Sequence, residues 1–266
     1  MKTHDILALL TFADALADAA RTAILPYFRA EHGVQDKGSA DGFLDPVTEA
    51  DKASERVMRE MVERTYPSHG FLGEEFEETL SQSGYQWIVD PIDGTRAFVA
   101  GLPTWGVLIA LAFEGEPILG IMDQPYLDER YRGWNSGADS VIRGVGKALR
   151  TRACARLADA ICSTTDPYLF KGAEAEAFGK VRSASKLTRY GYDCYAYSMI
   201  AAGHIDCVVE SGLRAFDIAA LIPIVAGAGG GVCGWDSSFA AQGGRVLAYG
   251  DARVRDEALT LLSRCP

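Results

Sequence analysis

An apolar run, Trp87-Ile88-Val89, leads directly into Asp90-Pro91-Ile92-Asp93-Gly94-Thr95. No other stretch constrains the chain as strongly, because a buried strand must deliver two carboxylates at its end. Pro91 biases Asp90 toward extended geometry, and Gly94-Thr95 then open a new segment. On a strand-to-helix turn, Asp90 and Asp93 can converge on one point. The backbone N–H groups of Gly94 and Thr95 would face the same point, a ready place for phosphate oxygens. Taken alone, D-P-x-D-G-T also describes an Asx-type turn with a capped helix.

Three other acidic clusters bear on that choice. Gly73-Glu74-Glu75 follows apolar Phe71-Leu72, where adjacent acids are costly without a cation. Asp45-Pro46-Val47-Thr48-Glu49-Ala50-Asp51 places Asp51 in the first turn of a helix, where an acid also complements the dipole. Asp217 heads the apolar run Ile218 to Ile222, where an N-cap would be ordinary. Four acidic clusters at apolar strand and helix ends share one explanation: a hard divalent cation held by oxygen ligands.

The chain has 266 residues, with 26 Lys and Arg against 36 Asp and Glu, a net charge of −10. That field repels phosphate polymers, so nucleic acid is not an expected partner. A small phosphorylated substrate stays compatible, since a cation inverts the charge locally. The longest uncharged stretch, Ile218 to Trp235, contains Pro223 and five glycines, a poor membrane span. Asp5, Asp14 and Asp18 interrupt any apolar leader at the N-terminus, and a cytoplasmic location is expected. The six cysteines form no C-x-x-C pair and the four histidines are scattered, which argues against zinc and for reduced thiols.

Apolar spacings of three and four from Ile6 to Ile24 predict an amphipathic helix ending near Pro26 or kinking on to Ala30. Residues 33–45 read as a loop. A second helix, capped by Thr48 or Asp45, is expected to reach Thr65. Strands are expected at Phe71–Gly73, Tyr85–Val89, Val107–Phe113 and Ile118–Asp123, the last two joined by a hairpin at Gly115-Glu116. Farther on, Ala160–Ser163, Val181–Ser183, Lys186-Leu187, Ile205–Glu210 and Val246–Ala248 read as extended. Helices are expected after Ser163 through Phe178 and over Tyr195–Ala202, Phe216–Ala226 and Val254–Leu262, with a turn at Gly227–Gly231. The pattern predicts one catalytic domain of two fused lobes: α+β over about 1–148 and α/β over about 149–266.

Together, G-E-E, D-P-I-D-G-T, D-P-V-T-E-A-D and F-D-I-A-A resemble the inositol monophosphatase superfamily of magnesium-dependent phosphatases, in order and over nearly the whole chain. The resemblance implies a five-layered αβαβα sandwich, a lithium-sensitive homodimer and hydrolysis of small phosphate monoesters. It implies two to three Mg2+ per site, with Mn2+ as a substitute. Glu74, Asp90 and the Ile92 carbonyl would hold the first ion, and Asp90, Asp93 and Asp217 the second. Glu74 would also touch a weaker third ion, with Glu75 and Asp51 acting through water. Thr95 and Asp51 resemble the pair that orients and deprotonates the attacking water, and Gly94 and Thr95 would meet the phosphate. Lys37 falls in the family's mobile-loop region, but residues 38–44 look longer than usual.

Within the superfamily, G-T-R-A-F-V-A-G-L-P-T-W-G, Gly191 to Tyr197 and A-A-G-H-I-D-C-V-V-E-S-G-L look like the histidinol-phosphate phosphatase branch of histidine biosynthesis. That substrate carries an ammonium and an imidazole. Glu210 is the first candidate to meet them and Asp193 the second, with Trp105 or Tyr192 stacking nearby. Tyr192, Tyr195 and Tyr197 also fit plain helix packing. Arg189 and Arg96 each fit substrate anchoring or contact with a partner subunit. Inositol-1-phosphatase, or a broad phosphatase, is the alternative.

Overall fold

The computed structural model describes residues 3–30, 35–36, 46–135 and 137–263. Lys37, Asp45, Cys265 and most of the 33–45 segment lie outside the described residues. The first half contains α1 (Thr3–Ile24), β1 (Gln35–Asp36), β2 (Pro46–Val47), α2 (Glu49–Thr65), β3 (Gly70–Leu72), β4 (Tyr85–Asp93) and α3 (Thr95–Val99). Next come β5 (Gly106–Phe113), β6 (Glu116–Gln124), β7 (Glu129–Trp134), β8 (Gly137–Ile142) and β9 (Val145–Ala148). The second half contains β10 (Ile161–Thr164), α4 (Ala173–Ala184), β11 (Leu187–Tyr190), α5 (Asp193–Ala201) and β12 (Cys207–Leu213). It closes with α6 (Ala215–Ile218), α7 (Leu221–Gly227), β13 (Gly231–Gly234), β14 (Gly244–Tyr249) and α8 (Ala252–Leu262).

Strands β3 to β9 form one sheet in sequence order, and a second sheet runs β11-β10-β12-β14-β13. Helices α1 and α2 cover the outer face of the first sheet; α5 and α7 lie between the sheets; α4 and α8 back the second. This is the five-layered sandwich. Among the described residues, no helix is long and apolar enough to cross a membrane.

Local chemistry explains most boundaries. Ile6, Leu9, Leu10, Ala13, Leu16, Ala17, Ala20 and Ile24 are all buried, so one stripe of α1 seats it on the sheet. The helix ends at Ile24, and Leu25–Tyr27 follow as a 3-10 turn because Pro26 has no N–H to continue the ladder. Thr48 caps α2: its hydroxyl accepts from the N–H of Ala50, while its own N–H donates to the Asp51 carboxylate. Strands β5 and β6 are buried on both faces, as expected of central strands covered by helices.

Three expectations change. The segment Val181–Ser183 is the last part of α4, because Ala177, Phe178 and Val181 share one buried helical face through Gly179. The single helix expected over Phe216–Ala226 is two, α6 and α7, since Pro223 cannot donate back to the Ala219 carbonyl. At that break α7 sits against two glycines paired across β6 and β7, Gly120 and Gly133. A Cβ on Gly133 would lie 2.3 Å from the Ile224 backbone, and one on Gly120 2.0 Å from the Ala220 carbonyl oxygen. Finally, Gly231–Gly234, read partly as a turn, pairs with β14 as a strand.

A charged network ties α1 to the first sheet. Arg130 donates to Asp123 at 2.8 Å and Asp18 at 2.7 Å, and Arg132 to Asp139 at 2.7 Å and Asp14 at 2.8 Å. Arg21 adds a 3.0 Å bond to Asp123, which is fully buried.

Candidate active site

The site begins at the end of β4. In a regular strand, residues three apart point to opposite faces. Pairing between β4 and β5 shifts register between Asp90 and Asp93, and this irregularity turns both carboxylates to one side. The Asp90 carboxylate accepts from the Ile92 N–H at 3.0 Å. Gly94 then adopts φ +83°, in the left-handed region, and opens α3. A Cβ there would stand 3.0 Å from Cγ of Asp193.

Asp217 completes the cluster from the other half of the chain. It is the third residue of α6, not an N-cap, and accepts from the Arg214 N–H at 2.6 Å. One carboxylate oxygen each from Asp90, Asp93 and Asp217 lie within 4.8 Å of one another. Burial pushes Asp90 and Asp93 well above the usual carboxylate range, and neighbouring carboxylates add to it: Glu74, Asp93, Asp217 and Asp51 for Asp90, and Asp193 and Asp217 for Asp93. A group of oxygen donors that repel one another, one buried and two half-buried, fits a hard divalent cation. Glu74 borders the cluster, close enough to raise both Asp90 and Asp51.

Asp51 is buried, which lifts it to about 6 against the lowering effect of two hydrogen bonds from Thr48. Thr95 donates its hydroxyl to the Ile92 carbonyl at 3.0 Å. Thr95 and Asp51 are not hydrogen-bonded to each other. Glu75 is held by its backbone: its N–H donates to Glu55 at 2.7 Å, and Glu55, fully buried, pairs with Arg59 at 2.8 Å. The sequence reading missed Glu55. Its only signal was an acid on the apolar side of α2.

The first turn of α5 closes the site. The Cys194 N–H donates to Asp93 at 2.6 Å, a second contact that the sequence did not show. Asp193 sits at φ +44° and is lifted to about 6 by burial, with Arg96 acting in the opposite direction. Glu210 is only 2% exposed and already accepts on both oxygens, from the Thr165 N–H at 2.6 Å and the Thr164 hydroxyl at 3.2 Å. Burial pushes it up to about 8.

The aromatic candidates separate. Trp105 is fully buried against Phe28 and Phe98, with centroids 5.2 and 5.0 Å away, so it packs the first-sheet core and does not line the site. Tyr192 accepts from exposed Arg189 at 2.8 Å. Tyr197 is buried, and Tyr195 donates to Glu129, away from the acids.

A sandwich of this type with converging acids at the end of a buried strand defines a class of phosphatases. The chain belongs to the inositol monophosphatase family, which it matches over residues 5–264. It is 39% identical to the bifunctional phosphatase IMPL2, chloroplastic, of Arabidopsis thaliana, over 94% of this chain and 73% of that one. It is 36% identical to a histidinol-phosphatase of Chlorobaculum parvum, over 83% of each. A solved inositol monophosphatase from Zymomonas mobilis superposes with a TM-score of 0.86 at 36% identity, covering 99% of this chain and 100% of that one.

Proposed function

We propose that this protein is a magnesium-dependent histidinol-phosphate phosphatase, releasing L-histidinol and phosphate. Asp193 carries the reading: an acid set into the first turn of α5, against Gly94, where a cationic substrate group would find a half-buried carboxylate. The likeness to the Chlorobaculum parvum histidinol-phosphatase supports it. Inositol-1-phosphate is the second reading, favoured by the equal identity to the Zymomonas mobilis enzyme.

Glu74, Asp90, the Ile92 carbonyl, Asp93 and Asp217 would hold two to three Mg2+, with Mn2+ as a substitute. Bound there, magnesium neutralises the phosphate dianion and makes water a better nucleophile near neutral pH. Thr95 has its proton committed to the Ile92 carbonyl, so its oxygen is left to accept from the attacking water. Asp51, lifted by burial to about 6, would accept the other proton of that water, with Thr95 orienting it. Glu75 supports through water, and the Gly94 and Thr95 N–H groups meet the phosphate. In recognition we rank Asp193 ahead of Glu210, whose oxygens are both engaged by Thr164 and Thr165. Arg189, exposed and joined to Tyr192, is the remaining recognition candidate.

Initial rates on histidinol phosphate and inositol-1-phosphate, measured side by side with magnesium and again with EDTA, test the reading. A higher kcat/KM on histidinol phosphate, abolished by EDTA, is expected. A preference for inositol-1-phosphate replaces it with the second reading.

A further inference from the structure

The two faces of the β7–β9 edge differ in how they treat charge. On one, Arg130 and Arg132 are fully paired with carboxylates of α1 and its neighbours. The other face carries Glu129, Tyr131, Ser140 and Lys147, brought together by cross-strand register. It lines a cavity of about 350 Å³ together with Arg150, His204 and the Tyr195 side of α5. Among the described residues, Lys147, Arg150 and His204 have no ion-pair partner. In a chain with a net charge of −10, two unpaired cations, Lys147 and Arg150, beside the His204 imidazole at one cavity need an explanation.

The carboxylate in the cavity is arranged differently. Tyr131 and Tyr195 both donate to the same oxygen of Glu129, each at 2.7 Å. The other oxygen, Oε1, has no partner among the described residues and is left as an acceptor. Tyr131 is 2% exposed and Tyr195 half-buried, and the two phenols together fix the carboxylate in place. Leu149 and Met199 supply apolar wall. The cavity is at the lower end of the range for small-molecule sites, and much larger than one inorganic anion requires.

We infer that this cavity is a second binding site, for a small zwitterion of the amino-acid type with an apolar side chain. Its carboxylate meets Lys147 and Arg150, its ammonium meets Glu129, and its side chain lies on Leu149 and Met199. The site is separate from the acidic cluster.

Calorimetric titration of the full chain with L-leucine, L-methionine and L-phenylalanine tests this. At least one is expected to bind with Kd near or below roughly 1 mM. For that probe, the analogue lacking the ammonium and the analogue lacking the carboxylate should each bind about tenfold more weakly. Lys147→Ala combined with Arg150→Ala changes exposed side chains, so the fold should persist by circular dichroism while binding is lost. Glu129→Gln should weaken the amino acid and leave the ammonium-free analogue unchanged. Absence of heat with all three amino acids overturns the inference. So does binding that survives the double substitution, or binding of inorganic phosphate as tight as that of the amino acid.

Discussion

The backbone N–H of Cys194 donates to Asp93 at 2.6 Å, joining residues 101 positions apart. This bond sets the first turn of α5 directly on the carboxylate pair at the end of β4. The first turn of α5, with Asp193, and the acid cluster on β4 are therefore mechanically one unit.

Asp90 is the most enclosed of the three clustered acids. Asp90→Asn should lower turnover by about 10²-fold or more and weaken metal binding. The fold should survive, because carboxylates that repel one another do not stabilise it without a cation. Phosphate release under saturating magnesium measures this, and turnover within a few-fold of wild type would remove Asp90 from the metal site.

Thr95→Ala should reduce kcat and leave magnesium affinity largely intact. Asp51→Asn should do the same, with an added stability loss of about 1 kcal/mol from the weakened α2 cap. If the two act on one water, the double variant is little slower than either single one. Multiplicative losses in kcat would show that they act independently.

Asp193→Asn should depress kcat/KM on histidinol phosphate by roughly 10²-fold and that on p-nitrophenyl phosphate far less, since the second has no ammonium. Asparagine tolerates the positive φ of this position, so the backbone should hold. Glu210→Gln should show a smaller ratio. Equal losses on both substrates would leave no role for Asp193 in recognition.

Glu210 titrates at about 8 in the folded protein against an ordinary 4.5. Below the ordinary value both folded and unfolded forms are protonated, and the contribution to stability is complete. As pH rises, the unfolded chain ionises first, so stability falls until the folded pKa is passed. Urea unfolding in EDTA should therefore show Glu210→Gln gaining on wild type between pH 5 and 8, by on the order of a few kcal/mol. A difference independent of pH would mean the carboxyl is not raised.

Gly133→Ala forces a methyl onto the backbone of α7 at Ile224. Overpacking against backbone should cost about 2 kcal/mol or more. The midpoint of chemical unfolding reads this directly; an unchanged midpoint would mean α7 can shift away.

The sequence alone determined the elements whose chemistry is local. The stripe of α1 follows from spacing, the α2 start from Thr48 and Asp51, and the turn after β4 from Pro91 and Gly94. It missed β7, β8 and β9, because ERYRGW, GADSVI and VGKA carry too little apolar alternation to announce a strand. Their partners are the neighbouring strands and, for Arg130 and Arg132, carboxylates of α1 more than a hundred residues away.

What only the tertiary structure decided is where each acid ends up. Asp93 and Asp217 are distant in sequence and meet because α6 breaks before Pro223 and α7 seats on Gly120 and Gly133. Glu210 and Asp193 look alike as candidates in the sequence. One is engaged on both oxygens by Thr164 and Thr165, and the other is set against Gly94. Residue type sets what a side chain is able to do, but burial, hydrogen-bond partners and neighbouring charge come from packing between distant segments, which no local pattern encodes.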